Sequence, residues 1–149
     1  MREKGQSLFE IIIAIAVIAV ALTAILGLGT QALGNSSTSQ KRTQATRATA
    51  QAMEWIRAER DTSWDEFVEQ YASTSGEVWC LDSVQLGWNN KGPCGPGEIL
   101  DDTFRREATL TVRSGDDRVV EVEVVTLWED RGETLRVRTD TALTDWRRN

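Results

Sequence analysis

The chain contains no histidine. That removes the usual general base, the usual partner of a nucleophilic serine or cysteine, and the commonest zinc ligand. Cysteine is nearly as scarce: Cys80 and Cys94 are the only two, and two thiolates cannot make a structural zinc site. Enzymatic chemistry would have to rest on carboxylates, so the expectation is a non-enzyme with no catalytic residue, no cofactor and no metal. Basic residues are outnumbered, 17 against 23 acidic. A basic face for nucleic acid is therefore not expected, and the pair Arg147-Arg148 is too short to make one. Proline occurs only twice, within SVQLGWNNKGPCGPG at 83–97, so nothing of that kind interrupts a helix in the first half of the chain. No internal repeat is visible.

Charge is missing from one long stretch. Between Gly5 and Gln40 the only charged residue is Glu10. From 11 to 22 every residue is apolar; Thr23 interrupts, and AILGL at 24–28 continues the run. At about 1.5 Å rise per residue, the helix 8–28 would span roughly 30 Å, the thickness of a bilayer's hydrocarbon core. Gly27, Gly29 and Gly34 then weaken it. Residues 35–42, NSSTSQKR, are polar, but beyond them Ala45, Ala48, Ala52 and Ile56 recur at spacings of three and four, with Trp55 beside the stripe. The pattern predicts one long helix ending near Arg60, apolar in its first half and amphipathic in its second, with a soft point at the glycines.

The remainder reads as a small α+β head, 61–149. Trp64, Phe67, Val68 and Tyr71 fit a short helix, and GEVWCL fits a strand. Ala108, Leu110 and Val112 alternate with polar residues. After the turn Ser114-Gly115-Asp116-Asp117, Val120, Val122 and Val124 do the same, and after Glu129-Asp130-Arg131-Gly132 so do Leu135, Val137 and Thr139. Alternating runs joined by short turns predict an antiparallel meander with one apolar face, and 45–60 is the obvious cover for it. Cys80 and Cys94 suit a single disulfide around a surface loop, given an exported head; the alternative is two reduced, unrelated thiols.

The head carries few candidate sites. Six tryptophans are present: Trp55, Trp64, Trp79, Trp88, Trp128 and Trp146. Core and rim packing accounts for most of them. Trp88, between glycine and Asn89-Asn90 in the loop 80–94, is the one expected to be exposed as a partner contact. Asp82, Asn89 and Asn90, or Asp116 and Asp117, are the nearest thing to calcium ligands. Their spacing matches no EF-hand loop and turn chemistry explains them, so no metal site is assigned.

Three origins compete for the N-terminus. A secretory signal would have the basic start, Arg2 and Lys4, and small residues at Gly27 and Gly29, but its apolar core would be shorter and without an acid at its head. A plain single-pass anchor gives length and orientation, with the basic end cytoplasmic, but no reason for Glu10. The third accounts for both. Gly5-Gln6-Ser7-Leu8-Phe9-Glu10 followed by an apolar helix resembles the prepilin signal of type IV pilins and type II secretion pseudopilins.

The resemblance implies a pilin-like α+β fold and a set of roles. MREKG at 1–5 would be the leader, 6–30 the membrane and filament-core helix, and 31–60 its amphipathic continuation. A prepilin peptidase would cut after Gly5 and methylate the new amine of Gln6, and Glu10, fifth in the mature chain, would be the assembly residue. Gln6 departs from the family, which most often has phenylalanine or methionine there. The helix also lacks the proline that many major pilins carry. The implied partners are other pilin or pseudopilin subunits, the prepilin peptidase, an inner-membrane assembly platform and membrane lipid. The N-terminus would be cytoplasmic and the head outside, with a minor subunit of a pilus or pseudopilus expected. The alternative is an anchored extracytoplasmic binding domain that never polymerises.

Overall fold

The computed structural model describes residues 4–116 and 118–147, with the side chains of 4–7 and 27–33 outside the description. Of the residues discussed above, Met1, Arg2, Glu3, Asp117 and Arg148 lie outside it, as do the side chains of Lys4, Gln6, Ser7 and Leu28. The fold is α+β: a long N-terminal helix followed by a five-stranded antiparallel sheet.

Helix α1 runs from Lys4 to Thr62, 59 residues without a break. The glycines at 27, 29 and 34 do not interrupt its backbone. Side-chain hydroxyls that would compete with the helix are turned back onto it: Thr23 Oγ1 donates to the Val20 carbonyl at 2.8 Å and Thr38 Oγ1 to that of Gly34 at 3.1 Å. By its internal contacts the chain falls into two compact units, 1–40 and 41–149.

The second unit contains the head. Ser63 ends α1 and caps α2, Trp64–Tyr71, in extended conformation (φ −154°), its hydroxyl accepting from the Glu66 amide. The strands are β1 (Glu77–Cys80), β2 (Asn90–Lys91), β3 (Phe104–Val112), β4 (Val119–Asp130) and β5 (Glu133–Thr144), in the order β2-β1-β3-β4-β5. All paired neighbours are antiparallel. The β4–β5 hairpin turns on Arg131 and Gly132 alone, both at positive φ (54° and 83°), which matches the twist of the flanking strands. Both strands are therefore longer than the alternation predicted. β5 begins at Glu133 and continues to Thr144, because pairing with β4 extends past the apolar residues that marked it.

The core is the meander's inner face closed by residues 45–56 of α1, as the stripe predicted. Ala52, Met53 and Ile56 pack with Phe67, Trp79, Leu81, Leu110, Val120, Val122 and Val124 in one cluster; Ala45 packs with Leu100, Phe104 and Trp128 in a second. Each large apolar side chain buried this way contributes about 1.5–3 kcal/mol.

Between the clusters lies a buried polar layer that was not foreseen. Thr49 on α1, Arg106 on β3 and Thr126 on β4 are at most 1% exposed. The two threonine hydroxyls are 2.8 Å apart, and Thr49 Oγ1 also reaches the Ala45 carbonyl at 2.9 Å. Arg106 donates to the carbonyls of Leu81 (3.1 Å), Ala48 (3.0 Å) and Ser83 (2.9 Å). Burial pushes its guanidinium down to about 10, against the opposing pull of Asp101 and Asp82, so it stays charged at neutral pH. One side chain thus ties α1, the end of β1 and the loop behind it to β3. Extending the period-two alternation back from Ala108 places Arg106 on the inner face.

Candidate functional site

The site on which the sequence converges is the head of α1. Gly5 and Gln6 lie in its first turns. Glycine is the weakest ordinary helix former and helix ends fray, so these first turns are the least stable part of α1. Gln6 and Glu10 are four residues apart, hence one turn apart on the same helix face. Glu10 is exposed, and so is every residue from Leu8 to Leu26. That segment is long and apolar enough to cross a membrane, with a mean hydropathy of 2.8. Its large side chains stand bare: Leu8, Phe9, Ile11, Ile12, Ile15 and Val17 are each 55–68% exposed. An exposed apolar surface of that extent marks a membrane or interaction segment rather than an ordinary solvated helix.

Cys80 and Cys94 form a disulfide, with Cα atoms 4.8 Å apart. In the loop it closes, Ser83, Val84, Gln85 and Asn89 are exposed while Leu86 and Trp88 turn toward the core, and this changes the place of Trp88. The ring of Trp88 is half-buried and stacks on Tyr71 at 4.5 Å. It also touches Trp55 at 4.6 Å and Trp79 at 5.3 Å, and its indole N–H donates to Glu59 Oε2 at 3.2 Å. The exposure expected of it is not found. The disulfide holds the loop's start and end together, and the indole is used to close the core over α1 and α2. Packing also explains Trp55, Trp64, Trp79 and Trp128, which are half-buried or buried.

The exposed tryptophan is instead Trp146, at 60%. Its N–H donates to Asp61 Oδ1 at 3.1 Å, and the Arg147 guanidinium lies over its ring and reaches the Asp61 carbonyl. The Trp146 hydrogen bond, with the charges of Arg60 and Arg147, holds the Asp61 carboxyl below the ordinary carboxylate range. This pairing fastens the chain's end to the end of α1, and nothing in the sequence pattern marked it.

Of the residues weighed as calcium ligands, Asp82, Asn90 and Asp116 have local partners. Asn90 Nδ2 donates to Asp82 Oδ1 at 3.3 Å, and Asp116 Oδ1 accepts from the Arg118 amide at 3.1 Å. Among the described residues no group of three acidic, cysteine or histidine side chains is placed to hold a metal ion. An open groove of about 550 Å³ lies beside α1, lined by Gln44, Arg47, Gln51, Val84, Asp101 and Phe104 among others. Its side chains are of mixed character and bring no two carboxylates together.

No family model, curated protein or solved structure matches the chain. The reading of its role therefore rests on the residues themselves.

Proposed function

We propose that the chain is a structural subunit, minor rather than major, of a type IV pilus or a related secretion pseudopilus. The observation that carries this is one juxtaposition. Gly5-Gln6-Ser7-Leu8-Phe9-Glu10 opens a bare apolar helix, and that helix continues unbroken into the element that closes the core of an α+β head. The head's disulfide adds support, since such bonds persist in oxidising compartments.

In this reading the precursor inserts with its basic end cytoplasmic and its head outside. Prepilin peptidase cuts after Gly5 and methylates the freed amine of Gln6, which is cationic near neutral pH. An unpaired acid in the bilayer costs about 2.5–3.5 kcal/mol on insertion scales. Glu10 recovers that cost by pairing with the amine of a neighbouring subunit, and only in one axial register. The charge thus acts as a length gauge between packed helices, and the apolar faces around it supply the packing. The remaining partners are lipid before assembly, the inner-membrane platform during it, and an assembly ATPase that is a separate protein.

Filaments purified from cells producing the chain test this. The wild-type protein is expected in them at substoichiometric level. Glu10→Ala is expected to insert normally and to be depleted from filaments at least about tenfold, the effect of losing about 1.4 kcal/mol of pairing energy. Wild-type protein that stays in the membrane and never enters a filament would support the anchored binding domain instead.

A further inference from the structure

The two edges of the sheet are built differently. β2 is two residues long and lies in the disulfide-closed loop. β5 at the other edge has twelve residues, all in continuous register with β4, and neither proline nor bulge breaks it. Among the described residues no strand pairs with its outer side. Proteins ordinarily blunt such an edge with short strands, prolines, bulges or charged side chains, because its free N–H and C=O groups are a template for another strand; of these β5 has only charges, Arg136, Arg138 and Asp140 among them, and they are of both signs.

The side chains of β5 say which strand. Thr134, Arg136, Arg138, Asp140 and Ala142 share the face with Glu123 and Val125, away from α1; Leu135, Val137, Thr139, Thr141 and Leu143 share the face with Val120 and Trp128, toward it. Consider two copies joined edge to edge by antiparallel β5 strands, with both helix-covered faces on one side. The two-fold then passes through a residue of β5. Through Arg138 it sets two arginines opposite each other; through Val137 it sets Arg136 against Arg138 twice; through Asp140 it opposes two aspartates. Through Thr139 it sets each Arg138 against the partner's Asp140, each Leu135 against the partner's Leu143, and Val137 against the partner's Thr141. Opposite charges and apolar pairs directly across a ladder are favourable and like charges are not. Of these four registers only the one through Thr139 is self-complementary, and there Arg138, which within its own chain lies 2.9 Å from Glu123 and 3.6 Å from Asp140, also meets the partner's Asp140.

We propose that β5 is a self-association edge, joining two copies of this chain into a continuous ten-stranded sheet about a two-fold at Thr139 (five strands from each copy). A two-fold normal to the sheet reverses every direction lying along it, so the helix segments packed on the two sheets run oppositely. The contact is therefore distinct from the one proposed at Glu10, between helices running the same way, and it does not depend on the filament reading. Within that reading it joins heads on separate, opposed assemblies.

The test uses the full chain in detergent micelles, where copies are free to reorient. The native cysteines are paired with each other, so an added thiol is the only free one. Thr139→Cys is expected to give a disulfide-linked dimer on mild oxidation, because residues directly opposite in an antiparallel pair have Cα atoms about 4.5–5.5 Å apart. Ala142→Cys is expected to stay monomeric, the two positions being about 20 Å apart. Adding Arg138→Asp or Asp140→Arg to Thr139→Cys should each abolish the dimer. Mixing those two proteins should restore it as a heterodimer, which also shows that both are folded. Failure of Thr139→Cys to crosslink, equal crosslinking at Ala142→Cys, or dimers indifferent to the charge swap would each overturn the proposal.

Discussion

The segment Leu8–Leu26 and the segment 45–56 belong to the same helix and treat their apolar side chains in opposite ways. In the first, side chains such as Ile15 and Val17 are more than 60% exposed, and none of the segment is buried. In the second, Ala45, Ala52 and Ile56 are fully buried against a sheet. The first has apolar residues all round and a single carboxylate; the second confines most of them to one stripe, with Arg47, Gln51 and Glu54 elsewhere. A helix apolar on every side can only be satisfied by surroundings that meet it on every side. A striped one is satisfied by its own chain. Packing within the head involves the second segment, and the first, long and apolar enough to cross a membrane, is left exposed.

Substitutions can break that division. The largest loss is expected at Arg106, whose removal takes the guanidinium donors from the carbonyls of Leu81 and Ser83 and cuts its tie to the Ala48 carbonyl, which keeps its own helical bond. Arg106→Leu should cost about 3–5 kcal/mol in chemical denaturation of the head. An unchanged midpoint would mean that water replaces the guanidinium.

Next comes a matched pair along α1. Ile56→Ala removes a fully buried side chain and should cost about 2–5 kcal/mol. Ile18→Ala, the same change at a residue 57% exposed, should leave the head's denaturation midpoint where it was in detergent. If the two variants lost stability equally, the helix would not divide as described. Reducing Cys80–Cys94 should cost about 3 kcal/mol by freeing the loop, seen as a lower midpoint with dithiothreitol.

Thr49→Val should cost about 1 kcal/mol, since it leaves the Thr126 hydroxyl buried without its partner. The double change with Thr126→Val should recover part of that loss.

The smallest effect is one of pH. The Asp61 carboxyl is held below its usual value of 3.8, so its contribution is present above that pH and disappears as pH falls through the depressed value. Asp61→Asn should remove this acid-side dependence from the unfolding curve.

What was legible in the sequence follows the same division. The apolar run, the stripe at 45–56 and the alternation of β3 to β5 are periodic signals, and each element stands where its period placed it. The polar layer was not legible because Arg106 and Thr126 look like the solvent side of a strand unless the alternation is carried through them. Trp88 was misplaced for a different reason. Glycine and asparagine neighbours indicate a loop, but whether a loop turns outward or folds over the core depends on partners distant in sequence, here Trp55, Tyr71 and Trp79. Trp146 depends likewise on Asp61. At the candidate site the residue types and spacing, Gly5, Gln6 and Glu10 in order, carry only the proposal, and the structure adds a helix that holds the last two one turn apart.

The central claim is tested most directly by the N-terminus of the protein extracted from membranes of cells with active prepilin peptidase. Peptide mass analysis is predicted to find chains that begin at Gln6 and carry one methyl group on its amine. Chains that still begin at Met1 in those cells would contradict the account.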